Sequence, residues 1–310
     1  MLKKIVFMGT PFFAVPILKS LYQNGYPVSV VYTQPPQKSQ RGQRYNKSPI
    51  HVISEELNIE CRTPRILKGN NEEFNFFKKL DVDIVIVVAY GQIIPNDFLD
   101  LSKKGFINIH ASLLPKWRGA APIQRSIINL EKETGISIMR IEEKLDTGPI
   151  CNTYKIDIST DDNTQIVSQK LSALASEKIL NNIDEILDDK IEFRDQEHNK
   201  ATYALKIEKT EGKINWCETA ESIIGKINGL YPNPGAFFIY NGERYKILNA
   251  NLAFGNGEIG EVLDNHLEVV CGNKKSIKIL DIQRQGKRPQ NINEFMLGSQ
   301  IKKGSNLNNV

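Results

Sequence analysis

The first two thirds of the chain repeat one pattern: a short apolar run, a turn, then a stretch with apolar residues at helical spacing. Lys4 to Met8 is a strand-like run, and Gly9-Thr10-Pro11 reads as a turn with Thr10 as helix cap and Pro11 at the first helical position. The helix is expected to reach about Gly25, a residue suited to a helix stop. Val28 to Tyr32 predicts a second strand, Pro49 to Leu57 a helix, and Asp83 to Ala89 a continuous apolar strand buried on both faces. Phe106 to His110 predicts another strand, Ala121 to Leu130 a helix, and Gly135 to Ile141 a further strand. Strands alternating with helices imply an α/β domain with an open, mostly parallel sheet. In Asp161 to Leu187, apolar residues at helical spacing (Ile166, Leu171, Leu174, Ile179, Ile183, Ile186, Leu187) predict a long helix closing that domain.

The pattern then changes. From Asp188 to Lys206 the chain is polar and aperiodic, so the division expected is a first domain over 1–189, a linker over 190–206 and a second domain over 207–310. A helix around Ala220 to Leu230 precedes short candidate strands at Ala236 to Tyr240, Arg244 to Ala253, Glu258 to Leu263, Leu267 to Cys271 and Ser276 to Gln283. Asn241-Gly242 is a strong hairpin signal. Short strands at regular spacing suggest a small barrel.

Composition sets bounds without naming a chemistry. At 310 residues two cores are expected rather than one, and 40% hydrophobic with 25% charged residues describes an ordinary globular protein. The four cysteines, at 61, 151, 217 and 271, form no CxxC pair, which argues against a disulfide scaffold or zinc ribbon and for a cytoplasmic setting. The start, MLKKIVFMGTP, is too short in apolar residues for a signal segment, and no run approaches a membrane span. No metal-ligand spacing appears, so no metal is assigned. A monomer is expected. The net charge of +4 does not by itself require a polyanionic partner. Its distribution is more telling: Thr33 to Ser54 contains Lys38, Arg41, Arg44 and Lys47 with no acidic residue, and Arg284, Lys287 and Arg288 form a second cluster. A basic loop can be merely solvated, yet such clusters suit phosphate contacts.

The chemistry concentrates in Gly105 to Pro122, GFINIHASLLPKWRGAAP. Asn108 and His110 lie two apart at the end of an apolar strand and therefore share a face. An amide and an imidazole there, followed by a Pro- and Gly-containing loop, suit the carboxyl edge of an open sheet, where such sheets bind ligands. Polar residues at a strand end can also simply satisfy loose backbone groups. A second segment, LDTGP at Leu145 to Pro149, adds Asp146, which alone could be a turn cap. Together the three supply an oxyanion donor, a titratable ring and a carboxylate to orient it, the elements of transfer at a carbonyl.

NIHASLLPKWRGAAPIQ at Asn108 to Gln124, with LDTG at Leu145 to Gly148, resembles the folate-dependent formyltransferases. FMGTPFFAVPIL at Phe7 to Leu18, RGQRYNKSPIHV at Arg41 to Val52, VVAYGQIIP at Val87 to Pro95 and YPNPGAFF at Tyr231 to Phe238 follow in the order that family shows, so the resemblance runs almost end to end. It implies a Rossmann-like sheet domain followed by a smaller OB-like β-barrel domain. The implied catalytic set is Asn108, His110 and Asp146. The implied co-substrate is 10-formyltetrahydrofolate, held by Ser112, Leu113, Leu114 and Pro115 on one side and by Tyr90, Gly91, Gln92 and Ile93 on the other. The implied acceptor is the free amino group of methionine carried on initiator tRNA. Arg41, Arg44 and Lys47 would meet its acceptor end, and Arg284, Lys287 and Arg288 its backbone. His51, His198 and His266 are read as surface or structural residues.

Other readings fare worse. The first turn offers Gly9 followed by Thr10 and Pro11, so the G-x-G-x-x-G phosphate turn of dinucleotide enzymes is missing, as is the P-loop pattern. The same chemistry on another amine, such as glycinamide ribonucleotide or a sugar nucleotide, is opposed by the Arg41 loop, the second domain and YPNPGAFF. A non-enzymatic RNA-binding protein is opposed by the intact Asn, His and Asp.

Overall fold

The computed structural model describes residues 3–39 and 44–308. Through the first part of the chain the elements are β1 (Ile5–Gly9), α1 (Val15–Gln23), β2 (Val28–Tyr32), α2 (Pro49–Glu56), β3 (Glu60–Arg62), α3 (Asn71–Leu80), β4 (Ile84–Val88), α4 (Asn96–Leu99), β5 (Phe106–His110), α5 (Pro122–Ile128), β6 (Glu133–Arg140), β7 (Ile150–Asp157) and α6 (Thr164–Leu187). Beyond these come α7 (Ala220–Leu230), β8 (Ala236–Tyr240), β9 (Glu243–Ala253), β10 (Glu268–Val270), β11 (Ser276–Arg284) and α8 (Ile292–Leu297). Residues Gln37–Ser39 and Arg44–Asn46 pair as a small antiparallel ladder.

The chain forms two compact units, each assembled from separate stretches. The first comprises Met1–Gly119, Thr134–Ile156 and Ser168–Tyr203, and the second Ala120–Glu133, Asp157–Val167 and Ala204–Val310. Packing explains why α5 belongs with α7 instead of with its sequence neighbours. At Gly229 of α7 a methyl group would sit 2.5 Å from the Ile128 side chain and 3.0 Å from the Gln124 carbonyl, so only glycine admits α5 this closely.

In the first unit the seven-stranded sheet has the order β7-β6-β5-β4-β1-β2-β3. From β3 to β5 the strands are parallel, and β6 runs antiparallel to β5. This is the Rossmann-like, mostly parallel architecture that the strand-helix alternation implies. Every residue of β1 and β4 is buried, as their unbroken apolar runs require of strands covered on both faces. Against one face, Val6, Met8, Tyr32, Val85 and Val87 pack with Phe77, Phe98 and Phe106. The Phe77 ring stacks on Phe106 at 5.9 Å, and burying a side chain of this size contributes about 2–3 kcal/mol. The body of α6 buries Leu171, Ala175, Ile179, Ile183 and Ile186. Ser172 Oγ of this helix donates to the Phe13 carbonyl at 2.6 Å.

Three local expectations change. Thr10 is not a helix cap: its hydroxyl donates to the Tyr90 carbonyl at 2.7 Å, because β1 and β4 are neighbours and end together. Pro11 flanks a short 3-10 turn, Phe12–Ala14, and α1 begins only at Val15. Ile166, expected on the buried face of α6, is exposed.

The second unit is a small domain of antiparallel strands, with strand order β8-β9-β11-β10 and Gln290–Asn291 added beside β11. Asn241 and Gly242 both have positive φ, the geometry of a tight two-residue hairpin between β8 and β9. A column of rings crosses its core: Trp216 against Phe238, Phe238 stacked on Tyr245 at 5.4 Å, and Tyr245 edge-on to Phe295. The strand expected at Glu258 to Leu263 reduces to single bridges at Glu261 and Val262. Gly260 takes φ +81° there, and the segment divides its backbone bonds between Val270 and Ser305.

Candidate active site

Strands β1, β4 and β5 are parallel, so Gly9, Val88 and His110 bring their following loops to one edge of the sheet. Asn108 and His110, two apart on β5, share a face. His110 is 6% exposed. Its Nε2 lies 3.0 Å from the Trp117 carbonyl oxygen. A carbonyl only accepts, so Nε2 carries the proton and donates, which leaves Nδ1 facing Asp146 Oδ2 at 3.7 Å. The same carboxylate oxygen accepts the Gly119 N–H at 2.8 Å. Two residues far apart in sequence thus meet, and the loop after β5 fixes both, the ring through Trp117 and the carboxylate through Gly119.

The backbone of the Asp146 turn is unusual. Asp146 has φ +51°, a region that Asp tolerates better than most residues. Two residues on, Gly148 passes so close to β6 that a Cβ would stand 2.1 Å from the Arg140 carbonyl oxygen. The LDTG pattern therefore has a steric basis: Asp bends the turn and Gly lets it fold back on the strand.

The loop after β5 is anchored internally. Ser112 is fully buried and its hydroxyl donates to the Lys116 carbonyl at 2.6 Å. Ser137, opposite His110 in β6, donates to the Ser112 carbonyl at 2.7 Å and accepts the Leu114 N–H at 3.0 Å. Leu114 is buried, while Leu113 and Pro115 are half-buried. In the other loop the Tyr90 ring belongs to the core, its carbonyl takes the Thr10 hydroxyl, and burial pushes its phenol well above the usual value. Gly91 has φ +81° and Ile93 is 89% exposed. Gln92 Nε2 donates to the Pro64 carbonyl at 2.8 Å, while its Oε1 is buried with no partner among the described residues. The sequence does not signal Trp117, Gly119 or Gln196, because nothing in the local pattern marks a backbone group as a ligand of His110 or Asp146.

The expected cationic positions divide. Arg41 lies outside the described residues, and Arg44 pairs with Ser39 through the backbone. Lys47 is engaged by Glu55 at 2.5 Å, and this ammonium, the leading cause, holds the Glu55 carboxyl below its usual range. Arg284 is paired with Glu243, and Lys287 and Arg288 are exposed on the turn after β11. The second unit holds a cavity of about 710 Å³ whose lining includes Lys206, Lys209, Arg244, Lys246 and Arg284. All but Arg284 escaped the sequence reading, since they lie on separate segments. Arg244 sits 3.6 Å over the Phe237 ring. Burial, then the neighbouring Arg244 charge, pulls the Lys246 ammonium below its usual value. A bound anion would relieve that crowding of like charge.

Among the described residues no cluster of His, Cys, Asp or Glu is placed to hold a metal ion, and no helix is long and apolar enough to cross a membrane. The formyl transferase family matches residues 3–183, and the formyl transferase C-terminal domain matches residues 206–300. A methionyl-tRNA formyltransferase of Pelagibacter ubique is 69% identical over the full length of both chains. One of Brucella anthropi is 40% identical over 97% of this chain and 99% of its own. Among solved structures, the N-formyltransferase from Helicobacter canadensis, a complex with folinic acid and dTDP-3-aminofucose, superposes with a TM-score of 0.70 at 21% identity, over 92% of this chain and 100% of that one. With the family's first domain matching more than half of its length and near-full-length relatives at 40% identity and above, the chain belongs to the formyl transferase family.

Proposed function

We propose that the protein transfers the formyl group of 10-formyltetrahydrofolate to the free amino group of methionyl-initiator tRNA, giving N-formylmethionyl-tRNA for translation initiation. The observation that carries the reading is the meeting of His110 and Asp146 beside Asn108 at the end of β5, in a chain 69% identical over its full length to a relative bearing that activity's name. The folate supplies the activated formyl carbon. The residues at hand suit it: the orphaned Gln92 Oε1 is an acceptor that a pterin N–H would satisfy, and Ile93, Leu113 and Pro115 offer apolar cover. Ser112 and Tyr90 act here by shaping their loops, since the Ser112 hydroxyl and the Tyr90 carbonyl are already engaged.

Asn108 donates its amide N–H toward the oxygen on which negative charge grows as the amine attacks. His110 is held by Trp117 and turns Nδ1 toward Asp146. Asp146 Oδ2, fixed by Gly119 and 3.7 Å from Nδ1, holds that ring when Nδ1 also carries a proton, and it accepts the proton that the amine releases, which then passes to the leaving nitrogen. In this reading residues 1–189 carry the catalysis, 190–203 pack into the same compact unit instead of forming a free linker, and 207–310 hold the tRNA. Arg41, Arg44 and Lys47 meet the acceptor end. The cationic cavity with Arg284, Lys287 and Arg288 takes the phosphate backbone. The protein works as a cytoplasmic monomer without a membrane partner.

The test is to incubate the protein with 10-formyltetrahydrofolate and, in parallel, methionyl-tRNA, uncharged tRNA or an amino-sugar nucleotide. Formyl transfer confined to methionyl-tRNA is expected. Transfer to the sugar amine alone, or to none of them, overturns the reading.

A further inference from the structure

Behind the Asp146 turn lies a polar unit that takes no direct part in the chemistry above. Gln196 and Arg118 are 6% and 3% exposed. The amide Nε2 of Gln196 donates to two main-chain carbonyls, Asp146 at 2.9 Å and Gly148 at 2.7 Å. Its Oε1 accepts from Arg118 twice, from Nε at 3.1 Å and Nη2 at 2.7 Å. The amide cannot be turned round, because carbonyls only accept and a guanidinium only donates. Arg118 Nη2 also donates to His198 Nδ1 at 2.9 Å, so His198 keeps its proton on Nε2.

Arg118 stands between the two residues that fix the site from the other side. Trp117 holds His110 through its carbonyl, and Gly119 holds Asp146 through its N–H. The segment 117–118 is itself tied to Thr202, through Thr202 Oγ1 to the Trp117 N–H and the Thr202 carbonyl to the Arg118 N–H, each at 2.9 Å. One buried side chain thus joins the loop that fixes the imidazole to the turn that carries the carboxylate, and it satisfies all four of its own hydrogen-bonding positions in doing so. Buried networks satisfied this completely rigidify what they connect.

We infer that Gln196, braced by Arg118, is the positioning residue for Asp146: it sets the distance and direction of Oδ2 relative to His110 without touching substrate. The inference rests on the proposed formyl transfer for its kinetic consequence, and its structural consequence can be read without any activity. Gln196→Met keeps the volume and removes all four bonds. Gln196→Glu keeps the Arg118 side and turns an oxygen toward the two carbonyls, so it carries the test if the Met variant fails to fold.

Two measurements decide the matter. Amide hydrogen exchange at Gly119, whose N–H is bonded to Asp146 Oδ2, speeds up in both variants, by about tenfold or more if the turn loosens. For formyl transfer, kcat falls about 10- to 100-fold, the usual cost of losing a supporting hydrogen bond behind a reactive group, while KM for each substrate stays within about twofold. In an Asp146→Asn background the same substitution costs less than about threefold, since the group it positions is already gone. A loss of folded enzyme would instead lower both backgrounds alike. Unchanged Gly119 exchange overturns the inference, as does a fully additive cycle. Absence of transfer by the parent protein overturns the proposed function instead, and the exchange measurement still decides the role of Gln196.

Discussion

Gly148→Ala should separate the position of Asp146 from its identity. A Cβ at residue 148 would sit 2.1 Å from the Arg140 carbonyl oxygen and 3.2 Å from the Glu142 side chain, where real Cβ atoms essentially never approach closer than 3.0 Å. Something must therefore move by roughly 1 Å, a misplacement able to cost about 100-fold in rate. Arg140 is the stiffer party: it is registered with Ile107 in the sheet and donates its N–H to the Pro149 carbonyl at 2.9 Å. The turn from Lys144 to Gly148 gives instead, carrying Asp146 away from His110 and straining the bonds from Gln196. Overpacking of this kind costs about 1–3 kcal/mol in stability, and kcat for formyl transfer should fall about 100-fold with KM little changed. Gly25→Ala is the control. Gly25 has φ +80° with nothing within 4 Å of a Cβ, so that variant suffers only backbone strain, about 1 kcal/mol, and keeps full turnover. Thermal unfolding and steady-state kinetics on both variants provide the comparison. A folded Gly148→Ala enzyme turning over within about threefold of the parent would refute the claim that this turn must hold Asp146 where it is.

Removing the amide donor in Asn108→Ala should cost about 100- to 1000-fold in kcat at saturating substrates; near-normal turnover would exclude Asn108 as the oxyanion donor. Arg244→Ala with Lys246→Ala should raise KM for methionyl-tRNA with kcat nearly unchanged, and lower the slope of log affinity against log salt by about 0.7–0.9 for each phosphate no longer neutralised; an unaltered slope would mean that the cavity does not take the nucleic acid backbone. In the second unit, Arg125 clasps Glu211 through Nη1 at 2.6 Å and Nη2 at 3.1 Å, and this bond, the leading cause, holds the Glu211 carboxyl below its usual value. A carboxyl depressed in the folded state stabilises the protein above its unfolded value, about 4.3, and loses that contribution as pH falls through the folded value. Because Glu211 is about one third exposed, the pair is worth on the order of 1 kcal/mol after screening. The unfolding midpoint of Glu211→Gln should accordingly lie below that of the parent at pH 7 and converge with it in acid, once the pH has fallen below the folded value; a gap that persists there would assign the stabilisation to something other than charge.

What could be read from the sequence was what is fixed locally. β5 spans Phe106–His110 as its apolar run indicates, and β4 falls within one residue of expectation at each end, because a strand buried on both faces has no polar position to blur its limits. Asn108 and His110 were legible as a pair because period-two geometry alone puts them on one face. Asp146 was legible as a turn residue, whereas its seat was not: Gly119 and Trp117 act through backbone groups and Gln196 from a distant part of the chain, and neither route leaves a periodic trace. The same limit explains Thr10, which has the chemistry of a cap and is taken by Tyr90 only because sheet order sets β4 beside β1. It also explains the cavity, where Lys206, Lys209, Arg244, Lys246 and Arg284 converge because β9 lies between β8 and β11. Local pattern thus specifies which groups are available for chemistry, and strand adjacency decides which of them meet. In this chain the adjacency is enforced largely by residues with no chemistry of their own: Gly148 and Gly229, which admit close approach, and Ser137, which pins the loop after β5. A substitution at Gly148 or Ser137 should therefore impair the site even though Asn108, His110 and Asp146 are all still present in the chain.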